Sequence, residues 1–328
     1  MSGDSKTGDD RPRTPQGAFY SELPHLVNSR GQYLFCKYWE PQEQEPRALL
    51  MIVHGLGGHC QRYEELATEL NKEGVLVFAH DHVGHGQSQG YPADIKSFDE
   101  YVQDVLQHAD KMRAANPGIP LFVFGQSMGG SVTILSALER PTLFAGVIVS
   151  APGVIPAPES ATTFRVLAAK ALAFFAPRAG VARIETHMLS RDTAKVKAFE
   201  DDPLVFHGRV CARLVVQLMS AMERIQREVH NFRTPLLALH GDQDKMALID
   251  GTKLLYQHAS VADKQMKIYP GVYHEPLFEL EPDAQTARRD IVTWVAERIQ
   301  AGQSQQDTLE GAATQPLQEL QGAEQNHI

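Results

Sequence analysis

Fully apolar runs alternate with amphipathic segments along most of this chain. The runs that predict β-strands are 33–39, 48–54, 75–80, 121–124, 144–150, 235–240 and 265–269. The segments whose apolar residues recur at helical spacing are 63–70, 98–112, 131–140 and 284–300. Because strands without polar alternation are typically buried on both faces, the pattern predicts an α/β fold with a mostly parallel central sheet and helices on both faces.

The alternation stops between residues 153 and 230. This stretch contains helical patterns such as 166–175 and no clear strand. We interpret it as a helical cap inserted into one domain that spans residues 19–302. The segments 1–18 and 303–328 are rich in small and polar residues, and we expect both to be disordered tails because they can bury little apolar surface.

Composition excludes several classes of function. The chain has 328 residues and a formal charge of −9, which argues against a nucleic-acid partner. Three scattered cysteines are too few for a disulfide framework or a zinc cluster. The polar first 16 residues lack the apolar core of a signal peptide, and no window of 18 apolar residues occurs. We therefore expect a cytoplasmic protein with reduced thiols.

Two G-x-S-x-G patterns occur, and their surroundings separate them. Ser127 follows the strand-like run 121–124 and precedes a helical pattern, which is typical of a nucleophile elbow. Ser88 lies several residues beyond the preceding strand and is followed by Tyr91-Pro92 rather than by a helix. We predict that Ser127 is the nucleophile and that Ser88 is a loop serine.

A serine nucleophile needs a base to accept its proton and an acid to orient that base. In α/β-hydrolases these residues follow in the order Ser, Asp or Glu, His, each beyond the end of a strand. The loop after strand 235–240 offers Asp244, with Asp242 as the fallback, and the turn after strand 265–269 offers His274. We predict Asp244 as the acid and His274 as the base.

The glycine-rich segment His54-Gly55-Leu56-Gly57-Gly58 follows an early apolar strand and has the form of an oxyanion loop. Two backbone N–H donors stabilise the oxyanion of acyl transfer, each by roughly 3 kcal/mol. We predict that Leu56 and Met128 supply them. An ordinary glycine-rich turn is the alternative interpretation.

The segment from His80 to His85 contains three histidines and Asp81, and it raises the alternative of a metal site. Neighbouring side chains on an extended segment point apart, whereas metal ligands must converge. We therefore predict a loop hydrogen-bonded around the elbow, with no metal and no organic cofactor.

Together these motifs resemble the monoglyceride lipase family. The resemblance rests on the oxyanion loop, the segment 78–88, the motif around Ser127, and the downstream Asp244 and His274, and it runs from about residue 15 to 298. It implies an intracellular α/β-hydrolase that cleaves monoacylglycerols, including 2-arachidonoylglycerol, to fatty acid and glycerol without a metal or cofactor.

The chain also departs from that family at five positions near the expected site. Members commonly carry a histidine at the position of Gln126, an acidic residue at that of Gly58, cysteines at those of Phe206 and Ala247, and a second histidine at that of Leu277. None of these positions belongs to the predicted triad. We expect them to affect substrate preference.

The same motifs are compatible with other functions. The enzyme could be a lysophospholipase or a broad carboxylesterase, and a hydrolase-fold scaffold without catalysis is a further alternative. The apolar cap helix 164–177, with Lys170 near its edge, is compatible with peripheral membrane association, or simply with packing on the sheet. The sequence is also compatible with a homodimer.

Overall fold

The computed structural model describes residues 11–42, 44–156 and 163–302. An eight-stranded sheet forms the centre of the molecule, in the order β1-β2-β4-β3-β5-β6-β9-β10. Its strands are β1 (His25–Val27), β2 (Tyr33–Trp39), β3 (Ala48–Val53), β4 (Val75–His80), β5 (Leu121–Gln126), β6 (Gly146–Ser150), β9 (Leu236–Gly241) and β10 (Lys264–Tyr269). The pairs from β4 to β10 are parallel, and β1 and β2 add antiparallel. The predicted sheet is confirmed.

Helices cover both faces of this sheet. They are α1 (Glu64–Lys72), α2 (Asp99–Ala115), α3 (Met128–Glu139), α7 (Ile249–His258) and α8, which the structure describes over 283–302. The alternation along β3 shows why two layers form: Leu49 and Met51 join the core beneath α2, α3 and α7, whereas Leu50 and Ile52 join the core beneath α1 and α8. Each face of β3 is therefore apolar.

Between β6 and β9 the chain forms the cap. Its elements are α4 (Thr163–Phe175), β7 (Gly180–Ala182), α5 (Thr193–Asp201), β8 (Val210–Cys211) and α6 (Ala212–Glu228). The expectation that this region lacks strands is wrong, because β7 and β8 pair antiparallel. Strands of two or three residues are too short to show an alternation in sequence.

The expected N-terminal tail is shorter than residues 1–18. The N–H of Gly17 donates to Thr14 O at 2.9 Å, and Arg13 forms an isolated β-bridge with Phe19. The guanidinium groups of Arg11 and Arg13 lie over the Phe19 ring, which anchors this segment in a way that composition does not reveal. Residues 1–10 and the expected tail 303–328 lie outside the described residues. Within the part that is described, none of the helices could cross a membrane.

Candidate active site

Ser127 stands at the sharp turn between β5 and α3. Its backbone has φ 53° and ψ −119°, a conformation that L-residues rarely adopt and that must be held by its surroundings. Its N–H donates to Ser150 O at 3.0 Å on the neighbouring strand. A Cβ on Gly129 would lie 2.1 Å from Val53 O, so glycine is needed for α3 to approach β3. The turn places the Ser127 hydroxyl beside the N-terminus of α3.

Three of the predicted residues form one hydrogen-bonded chain. The distance from Ser127 Oγ to His274 Nε2 is 2.9 Å, and that from His274 Nδ1 to Asp244 Oδ2 is 2.7 Å. With Nδ1–H donating to the carboxylate, Nε2 accepts the hydroxyl proton of Ser127. The geometry fits proton removal from the serine by a histidine that a buried carboxylate orients.

The local electrostatics favour charge separation between His274 and Asp244. Burial alone would lower the pKa of His274, but the charge and hydrogen bond of Asp244 outweigh it and raise this pKa above the ordinary value. Burial would raise the pKa of Asp244, yet His274 and the hydrogen bonds to its carboxylate hold that pKa far below the usual range. Asp244 therefore stays ionised, and it stabilises the imidazolium that forms when His274 takes a proton.

Asp242 and Ser88 take other roles. Asp242 Oδ1 accepts the N–H of Gly271 at 2.7 Å and so ties the acid loop to the turn before His274. Ser88 is buried in a loop, where it accepts the N–H of Phe35 at 2.9 Å and donates to Asp81 O. Asp244, and not Asp242, is the carboxylate that reaches His274.

The glycine-rich loop lies against the elbow. Gly57 has φ +76°, and its carbonyl accepts the N–H of Phe206 in the cap at 2.9 Å. Leu56 and Met128 line the same cavity as Ser127 and His274, and within the described part of the chain neither backbone N–H donates a hydrogen bond. Two free N–H groups beside a serine hydroxyl are the arrangement that an oxyanion hole requires.

The cavity above Ser127 has a volume of about 170 Å³ and mostly apolar walls. The cap contributes much of that lining: Ile184, Leu189, Phe199, Leu218 and Met222. Among the five departures from the family pattern, Gln126 and Ala247 line the cavity. The Gln126 Nε2 group is buried and has no hydrogen-bond partner among the described residues. The site therefore offers an apolar surface and one unused amide donor.

A cluster of buried histidines lies beneath the glycine-rich loop. His54 Nε2 accepts the N–H of His82 at 2.9 Å, and His80 and His108 are joined through their Nδ1 atoms at 3.1 Å. Burial lowers the pKa of each of these imidazoles, so they are neutral at pH 7. Asp81 instead accepts the backbone N–H groups of Cys60 and Gln87. These bonds join the segment from His80 to His85 to the glycine-rich loop, to α2 and to Cys60.

Several residues that support the site were missed in the sequence. His240 Nε2 lies 3.1 Å from Asp244 Oδ2, and Arg62 forms a bidentate ion pair with Glu275, the neighbour of His274. His240 lies near the end of the apolar strand that precedes the acid loop, a position that could have marked it in the sequence. Arg62 and Glu275 stand 213 positions apart, so no local pattern relates them.

The chain is similar to known proteins in both sequence and structure. The family model described as "Serine aminopeptidase, S33" matches residues 44–281. The chain is 44% identical to the monoglyceride lipase of Rattus norvegicus over 287 residues, which cover 88% of this chain and 94% of the relative. It is 44% identical to that of Homo sapiens over 286 residues, covering 87% and 94%. The crystal structure of Paleococcus ferrophilus monoacylglycerol lipase superimposes with a TM-score of 0.73 at 30% identity, covering 81% and 99%.

The fold and these relatives together define the class of protein. The protein is a serine hydrolase with the α/β-hydrolase fold, acting on carboxylic esters. Within that class, the chain belongs to the monoglyceride lipase family.

Proposed function

We propose that this enzyme hydrolyses monoacylglycerols to a fatty acid and glycerol, with Ser127 as nucleophile, His274 as base and Asp244 as orienting acid. The observation that carries the proposal is the continuous hydrogen-bonded chain from Ser127 through His274 to Asp244 at the floor of an apolar cavity. The similarity to relatives named monoglyceride lipase supports the choice of substrate.

The geometry supports acyl transfer in two steps. Ser127 Oγ attacks the ester carbonyl carbon while His274 Nε2 takes the hydroxyl proton, and the N–H groups of Leu56 and Met128 hold the oxyanion. Collapse breaks the bond to glycerol, whose alkoxide receives the proton from His274. A water molecule then attacks the acyl-enzyme with His274 again as base, which releases the fatty acid and restores Ser127.

Substrate class follows from the walls of the cavity. Aliphatic and aromatic side chains from the cap suit an acyl chain, and 2-arachidonoylglycerol is one member of the proposed class. The volume of about 170 Å³ is below the roughly 300–1,000 Å³ of typical ligand pockets. A long acyl chain therefore requires the cap to move outward before the substrate is seated.

Three substrates test this proposal. Turnover should be fastest on monoolein, slower on lysophosphatidylcholine and measurable on p-nitrophenyl acetate. Equal specificity constants on all three would favour a broad carboxylesterase, and preference for lysophosphatidylcholine would favour a lysophospholipase. A fluorophosphonate probe should label the wild type and not Ser127→Ala, whose activity should fall at least about 10³-fold. An unlabelled wild type would favour a non-catalytic scaffold.

We further propose that the enzyme is cytoplasmic and that it meets the membrane through α4. The side chains of Phe174 and Phe175 are 80% and 82% exposed, and Leu172 is 37% exposed on the same helix. Lys170 lies one turn earlier and is also exposed, as expected of an interfacial helix. Sedimentation with phosphatidylcholine–phosphatidylserine vesicles should fall strongly for Phe174→Glu/Phe175→Glu, whereas turnover of p-nitrophenyl acetate should not.

Binding of that double variant equal to wild type would exclude α4 as the contact. Leu280 is 44% exposed and lies outside the cap, so Leu280→Glu serves as a control. A homodimer stays an expectation, and light scattering on the same samples would test it.

A further inference from the structure

The loop that carries His274 is held on both sides by glutamates that bind arginines. On one side, the N–H of Tyr273 donates to Glu279 Oε1 at 2.8 Å. On the other, the carboxylate of Glu275 accepts two hydrogen bonds from Arg62, at 2.8 and 2.7 Å. The backbone position of His274 is therefore set by side chains that lie outside the Ser127–His274–Asp244 chain.

Glu279 connects this loop to the cap. Its carboxylate is fully buried and also accepts the N–H of Arg191 at 3.2 Å, its Nε–H at 3.0 Å and the N–H of Leu280 at 3.1 Å. Arg191 belongs to the cap segment just before α5, and it pairs with Asp283 as well. A buried carboxylate with charged and backbone donors is held firmly, because losing one donor leaves the charge undercompensated.

The cap and the histidine loop also meet at two further points. The N–H of Glu275 donates to Leu189 O in the cap at 2.9 Å. The Arg62 guanidinium lies over the ring of Phe199 in α5, 4.6 Å from its centroid. The cap segment around Leu189–Arg191 and the loop around His274 thus form one connected unit.

We propose that Arg191 and Glu279 are positioning residues that couple the seating of the cap to the placement of His274 against Ser127. When the cap segment is displaced, Glu279 loses Arg191, which holds its carboxylate in place against the N–H of Tyr273. His274 then leaves hydrogen-bond reach of Ser127. The inference deepens the proposed function: the cap that admits a substrate also completes the catalytic geometry once it is seated.

Variants at both ends of the pair test this coupling. Glu279→Gln keeps the shape of the side chain but places an amide N–H₂ against donors, and Arg191→Gln removes the cap partner. We expect each to lower kcat on p-nitrophenyl acetate by roughly 10- to 100-fold, because small displacements of a catalytic group are costly. KM should change less than about threefold. The acid limb of the pH profile, which is the fall of kcat at low pH, should move to lower pH. The reason is that the pKa of His274 decreases when this residue is held less well against Asp244. Arg191→Lys should restore part of kcat.

A matched control separates this role from general support of the cap. Asp94 is another buried carboxylate that binds cap arginines, at 2.8 Å from Arg213 Nε and 3.2 Å from Arg178 Nε, but it does not contact the histidine loop. Asp94→Asn should destabilise the cap and leave the acid limb where it is in wild type.

Two results would overturn the inference. One is a folded Arg191→Gln with the kcat and acid limb of wild type. The other is an Asp94→Asn that shifts the acid limb as Glu279→Gln does. If Glu279→Gln does not fold, the partly exposed Arg191 decides the question alone. Because p-nitrophenyl acetate and a fluorophosphonate probe report on Ser127 directly, the test remains readable even if monoacylglycerols are not turned over.

Discussion

At the scale of single residues, the site depends on one carboxylate that is kept ionised in a buried position. Asp244 Oδ1 accepts the N–H groups of Met246 and Ala247, at 2.7 and 3.0 Å, while Oδ2 faces His240 and His274. The backbone donors fix the carboxylate, and its charge raises the pKa of His274. His274 is therefore a stronger base than an isolated imidazole, and it is also protonated at a higher pH.

This arrangement predicts how activity depends on pH. In the wild type, kcat/KM should fall on the acidic side with a midpoint above about 6.5, the ordinary pKa of histidine, because only neutral His274 accepts a proton. Asp244→Asn removes the negative charge beside His274, and burial then lowers the pKa of His274. The midpoint should therefore move below that of wild type. The rate should also fall by about 10⁴-fold. Initial rates on an activated ester from pH 5 to 9 measure both effects.

Asp242→Asn is the matched control, since that carboxylate serves the same loop but contacts Gly271 instead. Its midpoint should equal that of wild type. An unchanged midpoint in Asp244→Asn would show that Asp244 does not set the basicity of His274.

Gln126 offers a second prediction at this scale. Its buried Nε2 group has no partner among the described residues, and the residue lines the cavity, so we expect this group to donate to a bound monoacylglycerol. Gln126→Leu keeps the bulk and removes the donor. A hydrogen bond of about 1 kcal/mol corresponds to roughly a fivefold lower kcat/KM for monoolein. The rate on p-nitrophenyl acetate, which lacks the glycerol hydroxyls, should stay within twofold of wild type.

Gln126→His, which introduces the residue of the family pattern, should restore a donor and recover part of the monoolein rate. Equal losses of Gln126→Leu on both esters would instead indicate a distorted elbow.

At the scale of elements, the sequence predicted what depends on local pattern and missed what depends on tertiary contact. Strands β3, β4, β5 and β9 are continuous apolar runs, so their positions follow directly from burial on both faces. Helix α3 begins three residues before its predicted start, because the elbow glycines have weak helical preference and are required by the close approach to β3. The β7–β8 pair gave no signal at all.

The candidate site divides in the same way. Ser127, Asp244 and His274 each follow a strand, so topology brings them to one edge of the sheet. The arginine–glutamate pairs that hold His274 join residues that are distant in sequence. No pattern in a single sequence indicates that these residues form pairs. Order along the chain thus predicts the reacting groups, whereas their supports require the fold.

The packing of α3 against β3 gives a prediction about the elbow. In Gly129→Ala the new Cβ would meet the backbone oxygens of Val53 and His54 at 2.1 and 2.5 Å, and neither atom can turn away. We expect a loss of about 3 kcal/mol in the free energy of unfolding, together with lower activity. Gly58→Ala is the control, since its nearest neighbour would lie 3.5 Å away. Urea unfolding measures both, and an equal stability of the two variants would contradict the close approach.

At the scale of the whole molecule, the interior beneath the site carries more ionisable groups than a core usually does. Five buried histidines have a pKa below the ordinary value because burial disfavours their charge: His54, His80, His82, His85 and His108. The pKa falls to about 4 for His85 and about 3 for His108. The cluster is neutral at pH 7 and is hydrogen-bonded to the first residue of the glycine-rich loop, and it links stability to pH.

The sign of that link follows from proton binding. Below pH 6.5 the unfolded chain protonates these histidines while the folded protein does not, so stability falls as pH falls. His85 and His108, whose pKa values are about 4 and about 3 in the folded protein, each lower the stability by about 1 kcal/mol between pH 6.5 and 5.5. Asp104, whose pKa burial raises to about 6, and His274, whose pKa is raised, both act in the opposite direction. The five histidines outnumber these groups, and we expect a net loss of stability over this unit of pH.

Urea unfolding at pH 7.5, 6.5 and 5.5 measures this loss. His85→Phe should lower the slope of stability against pH by close to one proton, because His85 takes up its proton in the unfolded chain and not in the folded one. Among the described residues the His85 side chain hydrogen-bonds only to Val83 O, so little else is lost. His258→Gln should leave the slope unchanged, since that side chain is exposed at the end of α7. A stability that does not change between pH 7.5 and 5.5 would mean that the folded protein accommodates protons within the cluster.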